Sequence, residues 1–318
     1  MTTSDRPPIG PGTRTTRRLL IIGAFAGVFA VFALANAWVA ARSTRPASAD
    51  AGTVVRVPGA DLQVTDTGPR DGPALVLLHG WTGSLHVWDR ILPALGSRLR
   101  VVRVDLPGHG GSEALRDGYS VPDQARQVGR VLDVVGVRHA TVAGHSMGGD
   151  VAVQIATTRP DIAARLVLID PPTAPKYTHP SLLIRSSLWP IAGPMGHGFM
   201  PDAVERSALG ITVAPGAHVP QQMVTDLNRV PWPAYSKAFF GVRDWIRHEP
   251  VPERVRGAGR PTLVVWGARD QLVSPTAAPL YRGLPHTRVV VLPRIGHTPP
   301  VEAPRATAAL LREFANHR

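Results

Sequence analysis

"TVAGHSMGGD", residues 141–150, is the stretch on which the reading of this chain turns. A Val- and Ala-rich run stops at Gly144, and a helix-like run, "GGDVAVQIATTR", comes soon after Ser146. Between them, Gly144-His145-Ser146-Met147-Gly148 fits G-x-S-x-G, a pattern short enough to recur by chance. Its surroundings decide whether Ser146 is a nucleophile or one more small residue in a turn. A strand that turns sharply into a helix exposes the serine hydroxyl. The helix N-terminus then offers N–H groups and a positive dipole end to a developing oxyanion. A phosphate loop would need G-x-x-x-x-G-K-[ST], and this stretch has neither that lysine nor a G-x-G-x-x-G.

Outward from Ser146, short apolar runs alternate with amphipathic ones. "ALVLLHG" (74–80), "RVVRVD" (100–105), "RLVLID" (165–170), "TLVVWG" (262–267) and "RVVVL" (288–292) are Val/Leu-rich and end in turn residues. Such runs suit strands covered on both faces of a mostly parallel sheet, and the helical stretches between them suit crossovers. "TVVRVPGADLQVTDTG" (53–68) reads instead as a leading antiparallel hairpin. One interval breaks the rhythm: Pro171 to about Arg260 shows no clear strand and many Pro, Gly, Trp and Met. At about 90 residues it is too long for a plain crossover and reads as a helical cap inserted at about 171–260. Its Trp189, Met195, Phe199, Met200, Trp232, Phe239 and Phe240 are candidates for an apolar pocket wall.

Composition narrows the function. The chain has 318 residues, 44% apolar and 18% charged, which suits a globular core. The net charge of +12 comes almost wholly from arginine, with lysine only at Lys176 and Lys237. The arginines are scattered, without a basic run or an aromatic-interleaved patch, which argues against a nucleic-acid partner. With no cysteine, disulfides, thiolate metal sites and a cysteine nucleophile are excluded.

"RTTRRLLIIGAFAGVFAVFALANAWVAAR" carries Arg14, Arg17 and Arg18 ahead of an uncharged run from Leu19 to Ala41. As a helix that run spans about 35 Å at about 1.5 Å per residue, enough for a hydrocarbon core of about 30 Å. An uncleaved membrane anchor over 19–41 is the expectation, with "ASA" at 47–49 a cleavage alternative that would release the protein near Ala49. The arginine bias places residues 1–18 in the cytoplasm and the rest outside. Residues 42–52 read as a linker.

In an open parallel sheet, ligands gather at the carboxyl ends of the strands. A serine there needs a base, and the base needs an orienting acid. Asp270, in "WGARDQLVSP", follows the strand "TLVVWG", and His297, in "PRIGHTPP", follows the last strand. Ser146, Asp270 and His297 thus stand in the Ser…Asp…His order of one convergent triad. Asp170, also at a strand end, is the alternative acid. Asp105 and His109 read as loop-shaping, and His79 and His145 as turn-orienting.

These motifs together make the chain resemble the α/β-hydrolases over residues 53–318. "LLHGWTGS" is similar to the oxyanion loop, "DLPGHGGS" to a strand-end loop and "GHSMGG" to the nucleophile elbow. "VVWGARDQLV" and "RIGHTPPVEAP" are similar to the acid and histidine segments. The resemblance implies an eight-stranded, mostly parallel sheet with helices on both faces and a cap after strand six. It implies Ser146 as nucleophile, His297 as base and then acid, Asp270 as its orienting partner, and an oxyanion hole from the N–H groups of Trp81 and Met147. The Trp81 indole can also form a pocket wall. A serine at the elbow, rather than an aspartate, points to acyl chemistry on a small-molecule ester without a metal or organic cofactor. Perhydrolases, C–C bond hydrolases and acyltransferases share the same constellation, and a ligand-binding sensor with little turnover is the reading from another class.

Overall fold

The computed structural model describes residues 12–41, 44–190, 193–197 and 200–316. It divides into two compact units, residues 1–42 and 43–318. In the first, helix α1 (Gly12–Ala41) contains a stretch, Thr16–Asn36, long and apolar enough to cross a membrane or serve as a signal segment.

The second unit is built on one sheet of β1 (Thr53–Val57), β2 (Ala60–Thr67), β3 (Ala74–Leu78), β4 (Arg100–Val104), β5 (Ala140–His145), β6 (Ala163–Ile169), β7 (Thr262–Gly267) and β8 (Thr287–Leu292). Their order is β1-β2-β4-β3-β5-β6-β7-β8. The hairpin β1–β2 and the pair β2–β4 are antiparallel; every other pair is parallel, as the continuous apolar runs imply. Strand periodicity feeds two cores. Val76 and Leu78 join one face with Val102 and Val142, while Leu75 and Leu77 join the other with Val167 and Val265.

Helices cover both faces. α2 (Leu92–Leu95) and α12 (Pro304–Asn316) supply Leu95, Ala308 and Leu311 to one core, and α11 (Pro299–Glu302) precedes α12. α3 (Val121–Val134) and α4 (Met147–Thr158) supply Val128, Leu132, Val151 and Ile155 to the other. α3 starts where Ser120 Oγ accepts the Asp123 N–H at 3.2 Å, satisfying one donor the first helical turn leaves free.

Between β6 and β7 lie α5 (Leu182–Ser187), α6 (Gly193–His197), α7 (Asp202–Leu209), α8 (Gln221–Arg229), α9 (Trp232–His248) and α10 (Val251–Ala258). Among the described residues this interval contributes helices and no strand to the sheet. α10 packs against α4 and so acts as the crossover helix that a parallel β6–β7 pair needs.

Candidate active site

Ser146 joins β5 to α4 with φ 50° and ψ −124°. A non-glycine residue with positive φ costs on the order of 1–3 kcal/mol and persists only where its surroundings over-determine it. Here the Ser146 N–H donates to Ile169 O, and the Gly149 N–H to Ser146 O, both at 2.8 Å. Two glycines let the turn close. A Cβ at Gly144 would stand 2.0 Å from Gly148 O, and one at Gly148 2.4 Å from Leu78 O. Met147 opens α4, so its N–H is among those without an intrahelical acceptor. The loop after β3 runs against this turn, since a Cβ at Gly80 would lie 3.0 Å from Ser146 Cβ. That contact puts the backbone of Gly80 and Trp81 beside the serine.

Loops following β7 and β8 deliver the other two side chains. His297 Nδ1–H donates to Asp270 Oδ2 at 2.7 Å, which leaves Nε2 to accept the Ser146 hydroxyl at 3.0 Å. All three residues are buried. Asp270 is fixed in turn, because its Oδ1 accepts the N–H groups of Leu272 and Val273 at 2.8 and 2.9 Å. Such an arrangement can take a proton from Ser146 Oγ, hold the resulting imidazolium beside a carboxylate, and return the proton to a departing atom.

Sequence reasoning missed Glu302. Its carboxylate accepts N–H groups from Ala214, Gly296 and Thr298, at 2.8 to 3.2 Å, and so braces the loop that carries His297. The one available signal was a glutamate five positions beyond the histidine.

The alternative acid, Asp170, does not pair with the imidazole. Its Oδ1 accepts the Gly267 N–H at 2.8 Å, and its Oδ2 meets no donor. Burial, followed by the charge of Asp270, pushes the Asp170 carboxyl well above the usual carboxylate range. The sequence shows no metal cluster at ligand spacing, yet ligand atoms of Asp170, Asp270 and His297 do converge within 4.8 Å. Within this cluster His297 and Asp270 are already joined by the 2.7 Å hydrogen bond.

The remaining strand-end groups hold the turns. His145 Nε2–H donates to His297 O at 2.6 Å, and burial, then the nearby His297, lowers its pKa to about 3. His79 Nδ1–H donates to Gly80 O at 2.7 Å while Nε2 accepts the Leu106 N–H at 2.9 Å. It thereby ties the β3 loop to the β4 loop. Within the β4 loop, Asp105 accepts from Leu85 and Gly111, and His109 Nδ1–H donates to Pro107 O.

Residues 73–189 match the family described as alpha/beta hydrolase fold. A pimeloyl-[acyl-carrier protein] methyl ester esterase of Aeromonas hydrophila is 30% identical over 256 residues, covering 76% of this chain and 95% of that protein. The chain belongs to the α/β-hydrolase fold family. A monoacylglycerol lipase, abhd6-B, of Xenopus laevis is 28% identical over 262 residues, 77% of this chain and 76% of that protein. The crystal structure of a hydrolase from Pseudomonas aeruginosa PA01 superimposes with a TM-score of 0.67 at 27% identity, over 85% of this chain and all of that one. The α/β-hydrolase described here is a hydrolytic enzyme, and its relatives support ester hydrolysis as the general activity.

Two cavities meet at Ser146 in this hydrolase. One, of about 590 Å³, is lined by Trp81, Met147, Trp189, Phe239 and Phe240 among others. The other, of about 80 Å³, borders His297 and also Trp81. The Trp81 indole is therefore a shared wall. It is held by its N–H on Tyr235 O at 2.8 Å and by ring contacts with Tyr235 and Phe239 at 4.4 and 5.2 Å. Trp232 corrects the expectation: it lines neither cavity, because its indole N–H is committed to Ser187 O at 2.9 Å, joining α9 to α5. Met200 likewise lines neither. Phe199 and the side chain of Met195 lie outside the described residues.

Proposed function

We propose that this hydrolase cleaves carboxylic esters through an acyl-serine intermediate. Ser146 is the nucleophile, His297 the general base and then acid, and Asp270 the group that holds the imidazole in its Nδ1–H tautomer. The backbone N–H groups of Met147 and Trp81 receive the oxyanion. The observation that carries the reading is the continuous pair of hydrogen bonds from Ser146 through His297 to Asp270, 3.0 and 2.7 Å long. A serine hydroxyl is a weak nucleophile until such a base stands beside it.

In this reading the helical stretch at about 171–260 is a cap over the site, and Trp81, Trp189 and Phe239 touch the substrate. The helix over 19–41 anchors the enzyme with residues 1–18 in the cytoplasm and the catalytic unit outside. The apolar character of that helix and its leading Arg14, Arg17 and Arg18 support this orientation. Relatives named for a methyl ester and for a monoacylglycerol fit small or apolar esters.

A fluorophosphonate probe tests the nucleophile on the full chain in detergent. The expected result is labelling of the wild type and none of Ser146→Ala. Equal labelling of both, or of neither, refutes the assignment. Ester turnover should also disappear in His297→Ala while its melting transition persists.

A further inference from the structure

The two arms of the cavity differ in size and in the groups that border them. The large arm touches Met147, one of the two N–H groups assigned to the oxyanion, and is walled by apolar side chains such as Phe239, Val242 and Ile246. His297 and Thr298 border the small arm, which is closed by Ala208, Leu209 and Met223. Ser146, Trp81 and Leu272 line both.

Acyl transfer places four groups around one carbon: the serine oxygen, the oxyanion, the acyl chain and the leaving oxygen. As the Ser146 Oγ–carbon bond forms, the hydroxyl proton passes to His297 Nε2 and the carbonyl electron pair becomes the oxyanion. When the carbon–alkoxide bond breaks, the same proton goes to the departing oxygen, which leaves as an alcohol. Water then adds to the acyl carbon and gives a proton to His297; the carbon–Oγ bond breaks as that proton passes from Nε2 to Oγ, which restores Ser146 and releases the acid. The leaving oxygen must therefore lie within hydrogen-bond reach of the imidazole. Of the two arms, the small one borders that ring.

Resting on the ester-hydrolase reading above, we infer that the site takes its ester in one direction, with the leaving alcohol in the small arm and the acyl chain in the large one. The preferred substrates are then esters of small alcohols with bulky, apolar acyl groups. At about 80 Å³ against about 590 Å³, the small arm suits the smaller of the two groups that flank the ester. The large arm opens at the exposed His179, Arg185 and Trp189, so a long acyl chain can run out toward solvent.

Methyl octanoate and heptyl acetate, isomers with the ester reversed, separate the two directions. For the full chain in detergent, kcat/KM for methyl octanoate should exceed that for heptyl acetate about tenfold or more, given the apolar area at stake. Equal values, or the reverse preference, overturn the inference. Ala208→Phe, which fills the small arm, should penalise propyl octanoate against methyl octanoate about tenfold. Val242→Phe should instead shorten the preferred acyl chain and leave the methyl-to-propyl ratio alone. The opposite assignment of these two effects would also overturn it. Fluorophosphonate labelling separates the failures. An enzyme that labels at Ser146 but prefers heptyl acetate refutes the direction alone, and one that does not label refutes the ester-hydrolase reading beneath it.

Discussion

At the strand ends, side chains are tied to one another and to the backbone across the sheet. His145 reaches the His297 carbonyl, His79 links two loops, and Glu302 gathers three amides from two segments. Between β6 and β7, by contrast, apolar side chains are left in solvent: Leu182 is 81% exposed, Trp189 67% and Phe240 43%. The first region spends its polar groups on fixed geometry, which acid–base chemistry needs to within a fraction of an ångström. The second touches the first at a few points, among them the Ala214 N–H on Glu302 and the Trp81 indole on Tyr235 O.

That contrast can be broken most sharply at Asp270. Asp270→Asn should keep the fold and lower kcat by about 10⁴-fold, because the wrong imidazole tautomer is then favoured. Single-turnover kinetics on a chromogenic ester checks this. Next comes Gly144→Ala, whose Cβ would stand 2.0 Å from a carbonyl oxygen. A loss of about 3 kcal/mol in denaturant unfolding is expected. Glu302→Gln replaces one acceptor oxygen with a donor facing amide N–H groups and should cost about 2 kcal/mol, with a fall in kcat larger than any change in KM.

His145→Gln sharpens the comparison through pH. Burial holds His145 at about 3, below its ordinary 6.5, so the unfolded chain binds its proton first. Its stabilising contribution is complete above pH 6.5 and is lost as pH falls toward 3. The variant should therefore lose less melting temperature than the wild type between neutral pH and pH 4. The smallest effect is expected at Trp189→Ala, within about 0.5 kcal/mol in stability because the ring is exposed, but with an altered acyl-length profile. A large loss of stability there would erase the distinction between the two regions.

What could be read from the residues alone follows the same division. Strand runs such as "ALVLL" and "TLVVWG" announce themselves by their own composition, and the turns that end them carry Ser146, Asp270 and His297. The parallel sheet then brings those ends together whatever the intervening loops contain. Two things escaped. Glu302 looks like any surface glutamate until the chain folds back to set Ala214 and Thr298 beside it. Trp232 and Trp189 are the same residue type in similar Pro-rich surroundings, yet one packs α9 on α5 and the other borders the cavity. That difference depends on how short helices lie against each other, which no local pattern encodes.

The backbone at Ser146 has a consequence of another kind. With φ at 50°, the turn tolerates a side chain with one γ atom better than one branched at Cβ. Threonine, although it keeps the hydroxyl, is thus a worse replacement than cysteine or aspartate, which lose it. The position is open to a change of reacting atom and nearly closed to a change of shape.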